Sequence, residues 1–226
     1  VGCPEVGLAL TMPTRGELQV DYRMYGSEYS DETARPGYYS CKLLNYGIKA
    51  EVSATLRTSI ERYTFPAGEG HIILNLGQGL TNESGAMVRR VSSTEVEGMK
   101  LLGTFCYTTQ AVFPIYFVMR VSHEPSTAGP WKFQPKLQGV ESAWSPDDGT
   151  YKLYENYHRE IAGDDIGYRF SYDDLGEGEQ VTVRMGVSFV SIENARMNLE
   201  AEQQGKTIYQ LRAAATAQWN RDLGRI

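Results

Sequence analysis

Cysteine is scarce in this sequence of 226 residues, and its few copies are widely spaced. The three cysteines are Cys3, Cys41 and Cys106, and the three histidines are His71, His123 and His158. Zinc sites need Cys and His ligands at short, regular spacings. No such spacing occurs, so a zinc site is not expected. The odd number of cysteines leaves at least one thiol without a disulfide partner in its own chain.

Long apolar runs are also missing. The longest, Ala111–Met119, has nine residues and contains Pro114, whereas a membrane-spanning helix needs about 20. We therefore expect a buried strand here and no membrane span. The first residues show neither the basic region nor the apolar segment of a signal peptide, and there is no initiator methionine. The chain begins as though cut from a longer one, so this absence does not indicate a compartment.

An excess of basic residues is lacking too. The 22 Lys and Arg are outnumbered by 28 Asp and Glu, which gives a formal charge of −6. Sequence-independent binding of nucleic acid needs clustered cations, so no nucleic-acid partner is expected. The sequence is 41% hydrophobic and 22% charged, which is ordinary for a globular protein with a buried core.

Short alternating segments dominate the first 190 residues. The clearest is Ile48–Leu56, in which five apolar residues share one face: Ile48, Ala50, Val52, Ala54 and Leu56. The alternation then changes phase at Tyr63 and Phe65, which indicates a bulge or a turn. In Glu179–Val190 the residues expected on one face are Val181, Val183, Met185, Val187 and Phe189.

Two segments, His71–Leu76 and Ile115–Met119, are apolar on both faces, which predicts central strands covered on both sides. Turn residues separate the runs at 35–37, 67–70, 145–149 and 175–179. Residues 122–136 contain three prolines and are expected to form a long loop. Repeated strands and turns of this kind predict an antiparallel β-sandwich, which we assign to residues 1–190.

The last residues, 191–226, have helical composition instead. Gly205 predicts the end of a first helix, and Thr207 with Gln210 forms the pattern of a capping box that begins a second. An apolar stripe follows at helical spacing: Ile208, Leu211, Ala215, Trp219 and Leu223. This stripe needs a partner, which is either the chain's own sheet or another domain.

Few residues suggest chemistry. Three acidic pairs, Asp147–Asp148, Asp164–Asp165 and Asp173–Asp174, could supply glycosidase carboxylates or calcium ligands, but each lies beside or near glycine and is better explained by turns. Trp131, Phe133 and Trp144 could stack on a sugar, although aromatic anchoring of a loop is the simpler interpretation. His123 and His158 have no spaced partner. Cys3 lies in a Gly-Cys-Pro turn, and the glycosylation sequon at Asn82 carries little weight.

Several stretches together resemble one enzyme family. They are GCPEVGLALTMP (2–13), PGYYSCKL (36–43), IKAEVSATLRTSIERYTFP (48–66), HIILNL (71–76) and VTVRMGVSFVSIENARMNLEAE (181–202). In this order they are similar to the N-terminal domain of the glycoside hydrolase family 92 exo-α-mannosidases. The resemblance extends from Gly2 to Ile226 and is weakest between Asn82 and Tyr172.

The resemblance implies a fold of the galactose-mutarotase-like supersandwich type, joined by linker helices to an (α/α)6 barrel that this sequence does not contain. It implies a calcium-dependent, inverting hydrolysis of terminal α-mannosides in N-glycans and other mannose-containing glycans. The catalytic carboxylates and the calcium belong to the barrel, so no catalytic or metal-binding residue is assigned to this chain. Gly2 and Cys3 would lie near the sugar pocket without an assigned contact, and the substrate-binding residues stay unknown.

Three classes of function are therefore open, and the third is a pure interaction domain, which would have no affinity for sugars. In the first, the chain is a scaffold domain of a secreted, periplasmic or cell-surface mannosidase and is inactive alone. In the second, it is a free-standing carbohydrate-binding module that uses Trp131, Phe133 or Trp144 as its platform. A module should bury Leu211, Trp219 and Leu223 on its own sheet, whereas an enzyme fragment should leave them exposed or in contact with another domain.

Overall fold

The structure, a computed structural model, describes residues 7–79, 83–103, 112–136, 139, 149–155, 157 and 159–225. They form fourteen strands and two helices. The strands are β1 (Leu10–Arg15), β2 (Tyr29–Arg35), β3 (Tyr38–Leu43), β4 (Ile48–Ala54), β5 (Thr58–Phe65), β6 (Gly68–Asn75), β7 (Glu83–Arg90), β8 (Glu95–Gly103), β9 (Val112–Val121), β10 (Thr127–Gln134), β11 (Thr150–Leu153), β12 (Ile161–Gly163), β13 (Ile166–Leu175) and β14 (Glu179–Ser188). The helices are α1 (Ile192–Gln203) and α2 (Ile208–Leu223).

The strands build two antiparallel sheets. The smaller sheet has the order β1-β6-β13-β10-β11, and the larger has the order β12-β7-β8-β9-β14-β5-β4-β3-β2. Apolar side chains from both sheets form one core, including Ile72, Leu74, Tyr168 and Phe170 from the smaller sheet and Tyr63, Phe65, Phe117, Val181 and Val183 from the larger. The predicted β-sandwich followed by C-terminal helices is confirmed.

The alternating segment at Ile48 is a strand, but it is shorter than predicted. Ile48 and Ala50 are buried in the core, whereas Leu56 is 89% exposed. The prediction for Leu56 is wrong because β4 ends at Ala54 and the chain turns back, with the Thr55 N–H donating to the Thr58 carbonyl at 2.9 Å. This turn resets the alternation in β5 and accounts for the phase change seen in the sequence.

Two further strands follow the pattern more closely. His71–Leu76 is buried throughout, and in β9 Ile115, Phe117, Val118 and Met119 are buried, so both segments are central strands as predicted. In β14, Val181, Val183 and Met185 face the core. Phe189 is 63% exposed, against expectation, because β14 ends at Ser188.

The segment 122–136 is not a long loop. Its second half forms β10, which pairs with β13 and β11. A proline interrupts a ladder only where its missing N–H is needed. Pro130 lies just beyond the β11 pairs, which begin at Trp131, and its carbonyl still accepts the Tyr154 N–H at 2.9 Å. The ladder therefore loses little, and the strand continues through the proline.

Of the acidic pairs, Asp164 and Asp165 form the predicted turn, between β12 and β13. Asp173 and Asp174 do not. They lie within β13 and are exposed, at a shift of register between Tyr172 and Leu175. An irregularity of this kind turns extra side chains outward without ending the strand, so the turn prediction for this pair is wrong.

The C-terminal helices begin and end where the sequence predicts. The Ser191 hydroxyl caps α1 by accepting the Asn194 N–H at 3.1 Å, and Gly205 beyond its end has φ +69°, a left-handed conformation that favours glycine. Thr207 and Gln210 form the capping box of α2. Neither described helix combines the length and low polarity that crossing a membrane requires.

Candidate functional site

An aromatic and acidic cluster covers the outer face of the smaller sheet. Trp131 is completely buried, and its ring meets Tyr151 edge-on at 5.4 Å between centroids. Phe133 contacts the same tyrosine at 5.0 Å. There is room for Trp131 because Gly167 lies opposite it, where a Cβ atom would stand 2.3 Å from the indole. Trp131 therefore cannot serve as an open platform for a sugar.

Asp165 supplies the acidic part of this cluster. The Tyr151 hydroxyl donates to one of its carboxyl oxygens at 2.9 Å, whereas the other oxygen is buried without a hydrogen-bond partner. Burial raises the pKa of Asp165, and the negative charge of Asp21 adds to the effect. Carboxyl groups with a raised pKa occur at functional sites and in structural networks alike. Among the described residues of the predicted acidic pairs, Asp165 is the one whose carboxyl group has the surroundings of a candidate site.

The segment 16–28 is tied to the same face by two hydrogen bonds. The Asn75 side chain donates to the Tyr25 hydroxyl at 2.8 Å, and His71 Nε2 lies 2.7 Å from the Gly16 carbonyl. A carbonyl only accepts, so Nε2 carries the proton and Nδ1 accepts from the Ser171 hydroxyl at 2.9 Å. Burial lowers the pKa of His71, which favours the neutral ring that this arrangement requires. The hydrogen bonds of Asn75 and His71 are structural links between this segment and the sheet, since both side chains are almost fully buried.

On the opposite side of the molecule, α1 packs on the larger sheet. Ala195 and Leu199 contact Val118 of β9. Charged residues surround this contact, because Arg196 of α1 pairs with both Glu95 and Glu97 of β8. α1 is therefore held by its own domain.

The first half of α2 is also held by the sandwich. Ile208 and Leu211 are buried against Ile60 of β5. Two cation–π contacts flank them, with Arg62 4.6 Å from the centre of the Tyr209 ring and Arg212 3.8 Å from that of Tyr38. Below the helix, Arg62 pairs with Glu51 at 2.7 Å, and both side chains are buried. The polar face of β4 is therefore covered, because Glu51 pairs there with Arg62 beneath α2.

The second half of α2 carries the exposed part of the apolar stripe. Trp219 and Leu223 are each 50% exposed. Trp219 and Leu56 line a cleft of about 360 Å³ between the helix and the β4–β5 turn. The stripe thus divides: Leu211 is buried on the chain's own sheet, and Trp219 and Leu223 are left for another surface. The exposed second half of α2 is what the enzyme fragment predicts, and the buried Leu211 in the first half is what the binding module predicts.

The other candidates do not form a site. His123 is exposed and contacts Ser122 and Glu179, and Cys41 is buried and free. Within the described ranges, no three His, Cys, Asp or Glu side chains gather where a metal ion could be held. The described side chains therefore do not gather into the set of oxygen ligands that calcium needs. The remaining candidates lie outside the described residues: Gly2, Cys3, Asn82, Cys106, Trp144, Asp147, Asp148 and His158.

Comparison with known proteins decides the family. The model of the glycosyl hydrolase family 92 N-terminal domain matches residues 1–188. The chain belongs to this family. The match extends to the end of β14, and the two helices follow it.

Solved structures of family 92 enzymes have the same fold. The family GH92 α-mannosidase BT3965 from Bacteroides thetaiotaomicron, in complex with mannoimidazole, is 25% identical with a TM-score of 0.77, and the match covers 97% of this chain and 28% of that one. The inverting mannosidase BT2199 from Bacteroides thetaiotaomicron VPI-5482 is 24% identical with a TM-score of 0.75 over 96% of this chain and 26% of that one. The glycosyl hydrolase ccman5 has the same identity and TM-score, over 97% and 28%. No curated protein sequence matched.

Proposed function

We propose that the chain is the N-terminal domain of an inverting exo-α-mannosidase that removes terminal α-mannose from glycans, N-glycans among them. The observation that carries the proposal is the family match over residues 1–188. The fold shared with an α-mannosidase supports it, and this chain covers 28% of that enzyme's length. The proposed role is that of a scaffold that helps to shape the sugar pocket.

The proposal places the chemistry in a second domain. Inversion needs a carboxylic acid and a carboxylate roughly 6.5–9.5 Å apart, with a water between them and the sugar. Asp165, the candidate in the outer-face cluster, has a tyrosine as its partner. We assign the acid, the base and the calcium to an (α/α)6 barrel in the longer enzyme, working on glycans outside the cytoplasm.

The exposed half of α2 supports an interface with that barrel. Leu56 and Trp219 line one cleft, and the half-exposed Leu223 follows Trp219 one helical turn later, so the three form an apolar patch. Large apolar side chains grouped on a surface mark contact sites. The proximal half of α2 fixes the helix on the larger sheet, so this patch, which we call the α2 patch, is held in place before a partner arrives.

The first measurement is mannose release from an α-linked mannobiose with calcium present, by this chain alone and by the enzyme that contains both domains. We expect release only from the two-domain enzyme. Release by the chain alone that stops when calcium is removed would contradict the assignment of the chemistry to the barrel. Asp164 and Asp165 would then be the first residues to replace, followed by Asp173 and Asp174.

A further inference from the structure

A second groove lies far from the outer-face cluster, on the outer surface of the larger sheet. It has a volume of about 620 Å³ and runs between strands β5 and β14 and the junction of α1 with α2. Its cationic lining residues are Arg62, Arg120, Arg184 and Lys206. The carboxylate in the lining is Glu200. A cationic groove of this kind stands out in a chain whose formal charge is −6.

The strand register brings the arginines together. Arg184 of β14 lies directly opposite Arg120 of β9. On the other side of β14, Thr182 lies opposite Arg62 of β5. Like charges directly opposite each other in a sheet repel and destabilise the pair. A cation at Arg184 is therefore unfavourable unless negative charge compensates it.

Two of the arginines are compensated within the chain. Arg62 pairs with the buried Glu51, and Arg120 pairs with Glu95 and Glu200. These contacts neutralise the groove at its two sides. They leave its centre, at the α1–α2 junction, to Arg184 and Lys206.

Arg184 and Lys206 have only neutral partners among the described residues. The Arg184 guanidinium donates to the Gln203 carbonyl, the Gln203 side-chain oxygen and the Lys206 carbonyl. The Lys206 ammonium donates to the Glu202 carbonyl at 2.8 Å. Burial lowers the pKa of Arg184, as expected for a cation that is partly removed from water without a carboxylate beside it. An anion in the groove would offset that cost.

Neutral donors complete the lining. Tyr209 accepts a hydrogen bond from Arg62 at 3.0 Å, so its own hydroxyl proton is free to point into the groove. Thr182 and Gln204 also line it, with a hydroxyl and an amide. Oxyanions are held by charge-assisted hydrogen bonds of this type, and arginine suits them because its donors lie in one plane.

We propose that this groove is an oxyanion-binding site for a phosphate or carboxylate group, held by Arg184 and Lys206 with Tyr209 and Thr182 as additional donors. It lies on the larger sheet, whereas the outer-face cluster lies on the smaller one. A bound anion would bridge β14 and the α1–α2 junction, and would thus strengthen the seating of both helices.

The test is a calorimetric titration of the chain at pH 7 and constant ionic strength, with inorganic phosphate in one arm and acetate in the other. We expect saturable binding in at least one arm. Arg184→Gln should weaken it about tenfold, the loss typical of one charge-assisted hydrogen bond. Lys206→Gln should weaken it less, and Arg35→Gln, an exposed charge on the edge strand β2, should leave it unchanged.

Saturation by phosphate alone identifies a phosphate ligand, and saturation by acetate alone identifies a carboxylate. Binding that does not saturate, or that is equal in the Arg184, Lys206 and Arg35 variants, reflects general salt effects and overturns the proposal. Lys206 is exposed in the helix junction, so its variant is expected to fold and keeps the test decisive if Arg184→Gln does not.

Discussion

Glu61 places a carboxyl group between the two sheets. It is 8% exposed, and one of its oxygens accepts hydrogen bonds from the Thr11 hydroxyl at 2.7 Å and the Tyr63 hydroxyl at 2.6 Å. Thr11 belongs to the smaller sheet and Tyr63 to the larger, so the carboxyl group links the layers. Burial raises the pKa of Glu61 despite these donors.

This raised pKa makes stability depend on pH in a defined direction. The folded state holds the Glu61 proton more tightly than the unfolded state, whose glutamates titrate near pH 4.3. The contribution of Glu61 is therefore complete below that value and is lost as pH rises towards the folded pKa, by about 1.4 kcal/mol per pH unit in that interval. Glu61→Gln should remove this loss and gain stability over the wild type as pH rises from 4 to 7.

The measurement is urea unfolding of both proteins across this pH range. Glu124→Gln serves as the control, because Glu124 is exposed and the variant makes the same change of side chain at the surface. A Glu61→Gln profile parallel to that of the wild type would show that Glu61 is not the group responsible.

Gly167 is required by the packing of the outer-face cluster. A Cβ atom at this position would lie 2.3 Å from both the Leu74 carbonyl oxygen and the Trp131 ring. Gly167→Ala should therefore destabilise the fold by about 3 kcal/mol, at the upper end for overpacking. Thermal unfolding would measure this loss.

Gly26→Ala is the matched control for that substitution, since nothing lies within 4 Å of a Cβ atom there. It should change stability by less than about 1 kcal/mol. Equal losses in the two variants would contradict the packing explanation.

At the scale of elements, α2 is divided between two surfaces. Leu211 is 1% exposed and should cost about 3 kcal/mol when it is replaced by alanine, as buried leucines do. Leu223 lies on the same stripe but is half exposed, so Leu223→Ala should change the stability of this chain by less than about 0.5 kcal/mol.

Urea unfolding of the two leucine variants, followed by circular dichroism, would compare these losses. A large loss for Leu223 would mean that the whole helix packs on its own sheet. The distal half would then not be free for a second domain.

The sequence predicts elements well where neighbouring residues decide the structure. Alternation locates β4 and β14, and Gly205 and Thr207 mark the end of the first helix and the start of the second. Prediction from the sequence fails where residues distant in the chain decide the local structure. Pro130 favours a loop locally, but its segment forms a strand because it pairs with β13. Leu56 continues the alternating pattern, but it lies in the turn after β4 and is exposed.

Prediction of the candidate site was weaker for the same reason. The sequence offers Trp131 as a candidate platform, and only the position of Gly167 across the sheet shows that the indole is buried rather than open. The pairing of Glu51 with Arg62 and of Tyr151 with Asp165 depends on strand register and on a turn, which no local pattern contains. His71 could not be connected to Ser171, a hundred positions later, from the sequence alone.

At the scale of the whole molecule, the α2 patch should matter to the proposed two-domain enzyme and not to the stability of this chain alone. Leu56 and Trp219 combine high exposure with a shared cleft. The double replacement Leu56→Ser with Trp219→Ala should leave the unfolding of the isolated chain within about 1 kcal/mol of the wild type. In the proposed two-domain enzyme it should lower mannose release several-fold, because it would loosen the contact between the domains.

The two readouts are unfolding of the chain and the rate of mannose release by the enzyme. Tyr29→Ala, an exposed tyrosine on the edge strand β2, is the control. Full activity of the double variant would place the interface elsewhere.

The order of strands in the smaller sheet has a consequence for synthesis on the ribosome. β1 pairs with β6, and β6 pairs with β13, so Leu10, Asn75 and Gly167 meet although 157 positions separate the first from the last. The hairpins from β2 to β5 close over short loops and can form as the chain emerges. The smaller sheet has to wait for β13, and pairing of such distant segments is slow. The nascent chain therefore exposes β6, one of its most deeply buried strands in the folded domain, while about the next 100 residues are made. We expect it to need chaperone protection until about residue 175 has left the exit tunnel.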